Sequence, residues 1–507
     1  METLQGLWMG FMTALSPVNL MLAAAGVTIG MLVGVLPGLG ASAGVAILIP
    51  LTFNLEPVSA LIMLSGIYYG AMYGGTIPSV LINTPGESAT VVTTFDGYQM
   101  ALQGQAGRAL GIATIASFIA GTVSVVAFMF LAPPLSAWAV SFGPPEYFAL
   151  MIMGFCTLSS LVGETPLRGL AMAAVGVLIS MVGIDIMTGH SRFTFGSPEL
   201  LTGIDFLPIA VGFFGLAEVF KVSGGSRPAQ VSQRVPIREL FPTVEDWLRS
   251  RWAIVRGTVI GFAVGLLPGA GTTLASFLSY SVEKQVSRHP EQFGRGAIEG
   301  VAGPEAANNA GVAGAMVPML TLGIPGSGTT AVMLGALLMH GVSPGPLLFK
   351  DHAEVAWGLI ASMYIGNIML VVLNIFFIPV FVYALRTHYA ILAPFIVLVC
   401  TVGVYSVSYQ MLDVWLMLAC GVLGYFVRKA EYPVAPLVLG VVLGGMLERA
   451  LRQSLLMSGG DPTIFVTRPL SLALLVISLA AVLVPMLLPA HSKRRRPGTV
   501  AKPHSRC

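Results

Sequence analysis

Long apolar stretches alternate with short polar connectors along this chain, and several are interrupted mid-run by Pro and Gly. Before a polar, basic stretch near the middle they cover residues 18–53 (broken at Pro37), 58–82, 109–132, 146–162, 167–188 and 203–220. After it they cover 252–282 (broken at Pro268), 312–340 (broken at Pro325), 355–383, 389–408, 411–427, 433–447 and 470–489. A helix needs about 20 residues to cross the ~30 Å hydrocarbon core of a bilayer. Lipid offers no partner to backbone N–H and C=O groups, so spans of this kind are helices. The pattern predicts an all-α polytopic membrane protein of about 12 transmembrane helices.

The interruptions repeat. Gly30 to Gly40 reads GMLVGVLPGLG and Gly261 to Gly271 reads GFAVGLLPGAG, both G-x3-G-x2-P-G-x-G. Further on, Ile77 to Thr90 aligns with Val317 to Thr330, each carrying P-x6-P-G followed by small hydroxyl residues. The extra residues in the second spacing fall in the polar stretch Arg288 to Gly300, where an insertion is tolerated. Proline removes a backbone donor and glycine admits positive φ, so each copy breaks a helix at membrane depth. Such a break is stable only inside protein or against a wet cavity. Broken helices at corresponding places in two halves point to the binding site of a secondary transporter. Two unrelated glycine kinks serving helix packing are the plainer alternative.

Composition agrees with a membrane protein: 55% of residues are hydrophobic, 10% are charged, and the mean hydropathy is +0.84. A soluble domain carries about a quarter charged residues. The net charge of +3 gives no support for nucleic-acid binding. Arg108 is the earliest basic residue, so no basic n-region of a signal peptide precedes the first apolar segment, and that segment is expected to be retained. Positive charge gathers in a central loop (Lys221, Arg227, Arg234, Arg238, Arg249, Arg251, Arg256) and in the tail (Lys493 to Arg496, Lys502, Arg506). The positive-inside rule puts both in the cytoplasm. The expected organisation is a first transmembrane repeat over 1–221, a cytoplasmic basic loop over 222–251, a second repeat over 252–490 and a cytoplasmic basic tail over 491–507. Inverted topology is favoured, because a two-fold axis in the membrane plane makes the inward and outward states equivalent.

The candidate binding residues cluster at the breaks. In the first half they are Gly38, Leu39, Gly40, Asn83, Thr84, Pro85, Gly86 and Ser88. In the second they are Gly269, Gly271, Thr272, Thr273, Asn308, Asn309, Gly326, Ser327, Gly328, Thr329 and Thr330. Carbonyl and side-chain oxygens beside an unwound helix suit Na+, with a site expected near Asn83, Asn309 and Thr330. The N-terminus of the resuming half-helix suits a carboxylate. For each Ser or Thr, a back-bond within its own helix is the competing role. Glu305 reads either as a functional acid or as an interfacial helix cap. Glu87 is expected to complement a helix N-terminus, Asp96 to sit at the interface, and Tyr68, Tyr69 and Tyr73 to form a packing face. Cys156, Cys400 and Cys420 lie in apolar runs and read as packing residues. No nucleophile–base pair, metal-ligand spacing or nucleotide-binding G-x4-G-K-[ST] occurs, so no enzymatic activity and no cofactor beyond a coupling ion, Na+ or H+, is expected.

Several motifs resemble the large integral-membrane subunit of the bacterial tripartite tricarboxylate transporters. They are Gly34 to Gly40, Gly66 to Gly75, Asn83 to Glu87, Asp96 to Tyr98, Pro304 to Ala310 and Leu322 to Thr330. The resemblance spans roughly residues 20 to 460; Ala270 replaces the Leu39 of the first copy, and Gly303 stands where Ala is expected. It implies a small membrane subunit and a periplasmic solute-binding protein as partners in the bacterial inner membrane. It also implies uptake of citrate or another carboxylate on a Na+ or H+ gradient. A stand-alone sodium/carboxylate symporter is the alternative within transport. An intramembrane enzyme would need paired ionisable groups at depth, and a channel would need no duplicated broken-helix site.

Overall fold

The computed structural model describes residues 2–36, 39–162, 166–185, 188–222, 237–378, 381 and 389–487. Pro37 and Gly38 of the first motif, residues 223–236 of the basic loop and the 491–507 tail lie outside the described residues. The first half comprises α1 (Glu2–Ala14), α2 (Pro17–Val35), α3 (Gly40–Thr52), α4 (Pro57–Ile82), α5 (Thr93–Leu102), α6 (Ala106–Ala139), α7 (Pro144–Val162) and α8 (Pro166–Ser180). A short antiparallel pair, β1 (Gly183–Ile184) and β2 (Ser191–Arg192), precedes α9 (Phe206–Ala210) and α10 (Ala217–Val222). A π-helical stretch, Val211–Leu216, joins α9 to α10.

The second half opens with α11 (Val244–Gly265), α12 (Gly271–Val286), α13 (Glu299–Leu322) and α14 (Gly328–Met339). It continues with α15 (Leu348–Asp351), α16 (Ala353–Phe376), α17 (Tyr389–Ser408), α18 (Met411–Lys429), α19 (Val434–Met457), α20 (Ile464–Thr467) and α21 (Pro469–Leu487). Among the described residues, five helices are long and apolar enough to cross a membrane: α2, α6, α16, α18 and α19. Two differences from the hydropathy reading are instructive. Helix α19 runs to Met457, well past the expected end at 447, because its last turns carry Glu448, Arg449 and Arg452, which hydropathy discards. Helix α11 begins at Val244 on a capping box between Thr243 and Asp246, so the stretch read as basic loop already contains a helix start.

Helices α4 and α13 form the interior. They are buried along nearly their whole lengths, Val58 to Val80 and Gly300 to Thr321, which is why neither shows an amphipathic stripe. Each lies against a glycine-lined partner. A Cβ on Gly26, Gly30 or Gly34 of α2 would come within 2.4 Å of a carbonyl oxygen of Met63, Ile67 or Ala71. On α11, Gly257, Gly261 and Gly265 stand in the same way against Gly303, Ala307 and Gly311. Contacts advance in the same direction on both members of each pair, so α2 runs parallel to α4, and α11 parallel to α13. Small residues at these crossings let the backbones touch. The periphery is apolar and unpartnered: Trp8, Phe130, Phe395, Trp415 and Ile477 are exposed, as lipid-facing residues are. Among the cysteines, Cys400 is buried while Cys156 and Cys420 are partly buried.

Candidate functional site

The helix breaks follow two local designs, one for each repeated motif. Helix α4 ends on Asn83 with φ 54°, and α13 ends on Gly323 with φ 71°, both left-handed. Thr84 N then donates to Pro78 O at 3.3 Å, and Ile324 N to Pro318 O at 3.2 Å. Asparagine is one of the few non-glycine residues that visits this region readily. After each Pro-Gly the chain restarts on a capping box: Glu87 with Thr90, and Ser327 with Thr330. The other two breaks restart at Gly40 (φ 68°) and Gly271 (φ 65°), opening α3 and α12.

These restarts converge on a cavity of about 700 Å³. Its walls include Leu39, Gly40, Pro85, Gly86 and Ser88 from the first half, and Gly269, Gly271, Thr272, Thr273, Ser327, Gly328 and Thr329 from the second. Segments far apart in sequence are thereby brought together. Ser42 Oγ and Thr329 Oγ1 are 2.9 Å apart, joining the first turns of α3 and α14. Ser88 Oγ and Thr273 Oγ1 are 2.8 Å apart, joining the turn after Glu87 to α12. The Pro-Gly loops are held at contact distance by glycine. A Cβ on Gly86 would fall 1.9 Å from Gly34 O, and one on Gly326 would fall 2.8 Å from Gly265 O.

Other residues predicted from the sequence lie elsewhere. Asn83 and Thr84 are exposed beside the break, outside the cavity lining. Thr330 is buried in the first turn of α14, bonded to Ser327. Asn308 and Asn309 are fully buried in α13, where Asn308 Nδ2 donates to Glu305 Oε2 at 3.1 Å and Asn309 Nδ2 to Glu305 O at 3.2 Å. Glu305 itself is fully buried and sits well inside α13, which begins at Glu299, so it is not a helix cap. Asp96, expected at the interface, is also fully buried. It accepts from the N–H groups of Gly294, Gly296 and Ala297, each at 2.8 Å, and from Tyr280 OH at 2.9 Å. That carboxylate ties the loop before α13 to α5.

Glu87 does complement a helix N-terminus, and across the cavity from its own turn: Oε2 accepts from Ala41 N at 2.5 Å. Its Oε1 accepts from Ser88 N at 3.0 Å and Ser88 Oγ at 2.9 Å. The α3 N-terminus thus has a resident carboxylate. In the second half the corresponding position is Ser327, and the first turn of α12 carries no acid of its own.

Tyr68 and Arg428 are among the cavity residues that escaped the sequence reading. Tyr68, expected to be packing, lines the cavity with its OH 3.1 Å from Ser327 Oγ, whereas Tyr69 and Tyr73 are buried away from it. Arg428, near the end of α18, also lines the cavity, and its Nη2 donates to Phe213 O at 3.0 Å in the π-helical stretch. Arg428 and Glu87 are the charged residues of the lining. Helix α18 carries no repeat motif, so no sequence signal distinguishes Arg428 from an interfacial anchor. The result is a polar pocket with backbone donors at helix starts, hydroxyls from both halves and one guanidinium, a set that suits an anion.

Comparison with known proteins agrees in kind. Residues 20–439 match the model of the tripartite tricarboxylate transporter TctA family. An uncharacterised 52.8 kDa protein in the TAR-I ttuC' 3' region of Agrobacterium vitis is 47% identical over 494 residues, 97% of this chain and 98% of that protein. An uncharacterised protein in the TAR-II ttuC' 3' region of the same organism is 45% identical over 234 residues, 46% of this chain and 97% of that protein. No solved structure matches the chain.

Proposed function

We propose, from the premise that this chain belongs to the tripartite tricarboxylate transporter TctA family, that it is the large transmembrane subunit of a binding-protein-dependent secondary transporter. It imports citrate or a related carboxylate on a Na+ or H+ gradient. The observation that carries the reading is the cavity in which helix restarts from both halves, at Gly40, Ser88, Gly271 and Gly328, meet. Substrate carboxylate takes the backbone N–H groups at the start of α12 and the guanidinium of Arg428, because the α3 start is already served by Glu87. Alternating access follows from rocking of one half against the other across the Ser42–Thr329 and Ser88–Thr273 contacts.

The two halves are inverted repeats in this reading. Ion pairs place several helix ends on one side: Arg108 with Asp246 joins the starts of α6 and α11, and Arg168 with Glu431 joins the start of α8 to the end of α18. Rich in arginine and contiguous with the basic loop, that side is the cytoplasm. Helix α13 then enters from the cytoplasm and α4 from the periplasm, each stopping at its Pro-Gly break. The inner membrane is the location, with the C-terminal tail cytoplasmic. A small membrane subunit and a periplasmic solute-binding protein are the partners implied by the family's tripartite description.

Reconstitution tests the reading. The chain in proteoliposomes should take up little substrate from dilute solution until the small subunit and loaded binding protein are supplied. Vigorous uptake by this chain alone would instead establish a stand-alone symporter.

A further inference from the structure

Glu305 is a fully buried carboxylate with no Lys, Arg or His within ion-pair distance among the described residues. Its neighbours' acids are differently served. Glu283 on α12, whose side chain faces Gly303, is paired with Arg256 of α11 at 2.7 Å. Asp96 on α5, facing Gly300, has its three backbone donors. Glu305 has neutral partners: Oε1 accepts from Thr93 Oγ1, and Oε2 from Thr76 Oγ1 at 2.8 Å and Asn308 Nδ2 at 3.1 Å. A buried negative charge without a counter-charge is strongly disfavoured, so such a group holds a cation or changes its protonation.

The oxygen inventory selects between them. Asn309, fully buried one turn beyond Glu305, spends its amide nitrogen on Asn308 Oδ1 and Glu305 O, while its own Oδ1 accepts no hydrogen bond among the described residues. Added to the carboxylate are two threonine hydroxyls, each able to turn a lone pair toward the centre in place of its proton. A cluster with more acceptor oxygens than donors is a hard-cation environment. One carboxylate matches one positive charge, which favours a monovalent ion over a divalent one. We infer that Glu305, Thr76, Thr93 and the Asn308–Asn309 amides form an intramembrane Na+ site.

The site is wired to the cavity from both halves. Thr93 begins α5, directly after the Ser88–Thr90 turn that borders the cavity, and Thr90 Oγ1 donates to Gly75 O, next to Thr76. On the other side, Ser276 Oγ donates to Pro304 O at 3.4 Å and to the carbonyl of cavity-lining Thr272 at 3.1 Å. Na+ at Glu305 therefore draws in the turn that carries Ser88 and steadies the start of α12, the place assigned to substrate. This deepens the proposed transport function and rests on it for its physiological meaning, but ion binding is measurable without transport.

The test is equilibrium binding of ²²Na+ to the purified full-length chain, with thermal stability followed in Na+ and in choline. Wild type should bind Na+ saturably and melt higher in Na+ than in choline. Glu305→Gln should lose saturable binding and the Na+ response, yet be at least as stable as wild type in choline, since the uncompensated charge is gone. A purely structural glutamate would instead lower stability equally in both salts. Thr76→Val and Asn309→Ala should raise half-saturating Na+ by roughly tenfold or more, as loss of one ligand implies. They decide the matter should Glu305→Gln fail to fold. Absence of saturable Na+ binding by wild type, or wild-type binding by Glu305→Gln or by both ligand variants, overturns the site. Citrate counterflow without any ion gradient separates the two readings. Counterflow without Na+ binding leaves the transporter and removes this site, and Na+ binding without counterflow of any carboxylate does the reverse.

Discussion

Ser88 Oγ lies 2.8 Å from Thr273 Oγ1, a contact between residues that belong to different halves of the chain. Its counterpart, Ser42 with Thr329 at 2.9 Å, joins the complementary pair of helix starts. Ser42 and Thr273 occupy the same place in the two copies of the glycine motif, two residues after Gly40 and Gly271. The cavity is thus crossed by two hydroxyl pairs, each made from one glycine-motif restart and one Pro-Gly restart. A rocking motion between the halves must break or exchange these bonds. Cysteines at Ser88 and Thr273, in a background without native cysteine, should cross-link readily, and the cross-link should stop substrate exchange. Exchange at the wild-type rate with the link fully formed would show that these elements do not move apart during transport.

Arg428 supplies the cavity's positive side chain. Replacing it with Gln should raise the half-saturating carboxylate concentration by roughly tenfold to a hundredfold, the loss of a charge-assisted hydrogen bond of about 1.5–3 kcal/mol. Lys at this position keeps the charge but not the planar fork, so it should fall between the two. Uptake kinetics of Arg428→Gln and Arg428→Lys provide the comparison. Equal, wild-type half-saturation in both would assign Arg428 to packing against Phe213.

Gly86 has no room for a side chain, because a Cβ would stand 1.9 Å from Gly34 O. The obstacle is backbone, not a rotatable side chain. Gly86→Ala should therefore destabilise by about 3 kcal/mol or more, at the upper end for overpacking. Asn83→Gly, three residues earlier, should be nearly neutral, since glycine adopts the left-handed φ of 54° without strain. Melting temperatures in detergent check both; a tolerated Gly86→Ala would mean that the loop is looser than this packing.

Orientation is testable at two exposed connectors. Ala430 follows α18 on the arginine-rich side, and Pro462 follows α19 at its far end. Single cysteines there, again without native cysteine, should label oppositely in intact spheroplasts. Ala430→Cys should be reached only after permeabilisation, and Pro462→Cys from outside. The reverse pattern would invert the assigned topology.

What the sequence determined is what chain-local physics controls. Apolar runs of spanning length require helices in lipid, and Pro and Gly at 37–40, 85–86, 268–271 and 325–326 require those helices to stop. Repetition of the motifs then pointed to two matching halves. Glu87 at a helix start was legible too, because an acid beside a restarting helix meets free N–H groups whatever else surrounds it. Tertiary structure decided which partners these groups meet. Glu87 serves α3, not its own turn alone. Tyr68 reaches the cavity while Tyr69, one residue on, points into packing, since adjacent residues on a helix face different neighbours. Asn308 and Asn309 read as cavity ligands by their nearness in sequence to the second Pro-Gly, yet α13 runs several turns from that break and buries them around Glu305. Arg428 carries no motif at all and gains its place only because α18 ends at the cavity that the restarts of distant helices also border. Local conformation follows from the residue and its solvent, whereas a binding site is a set of contacts among segments that only packing brings together.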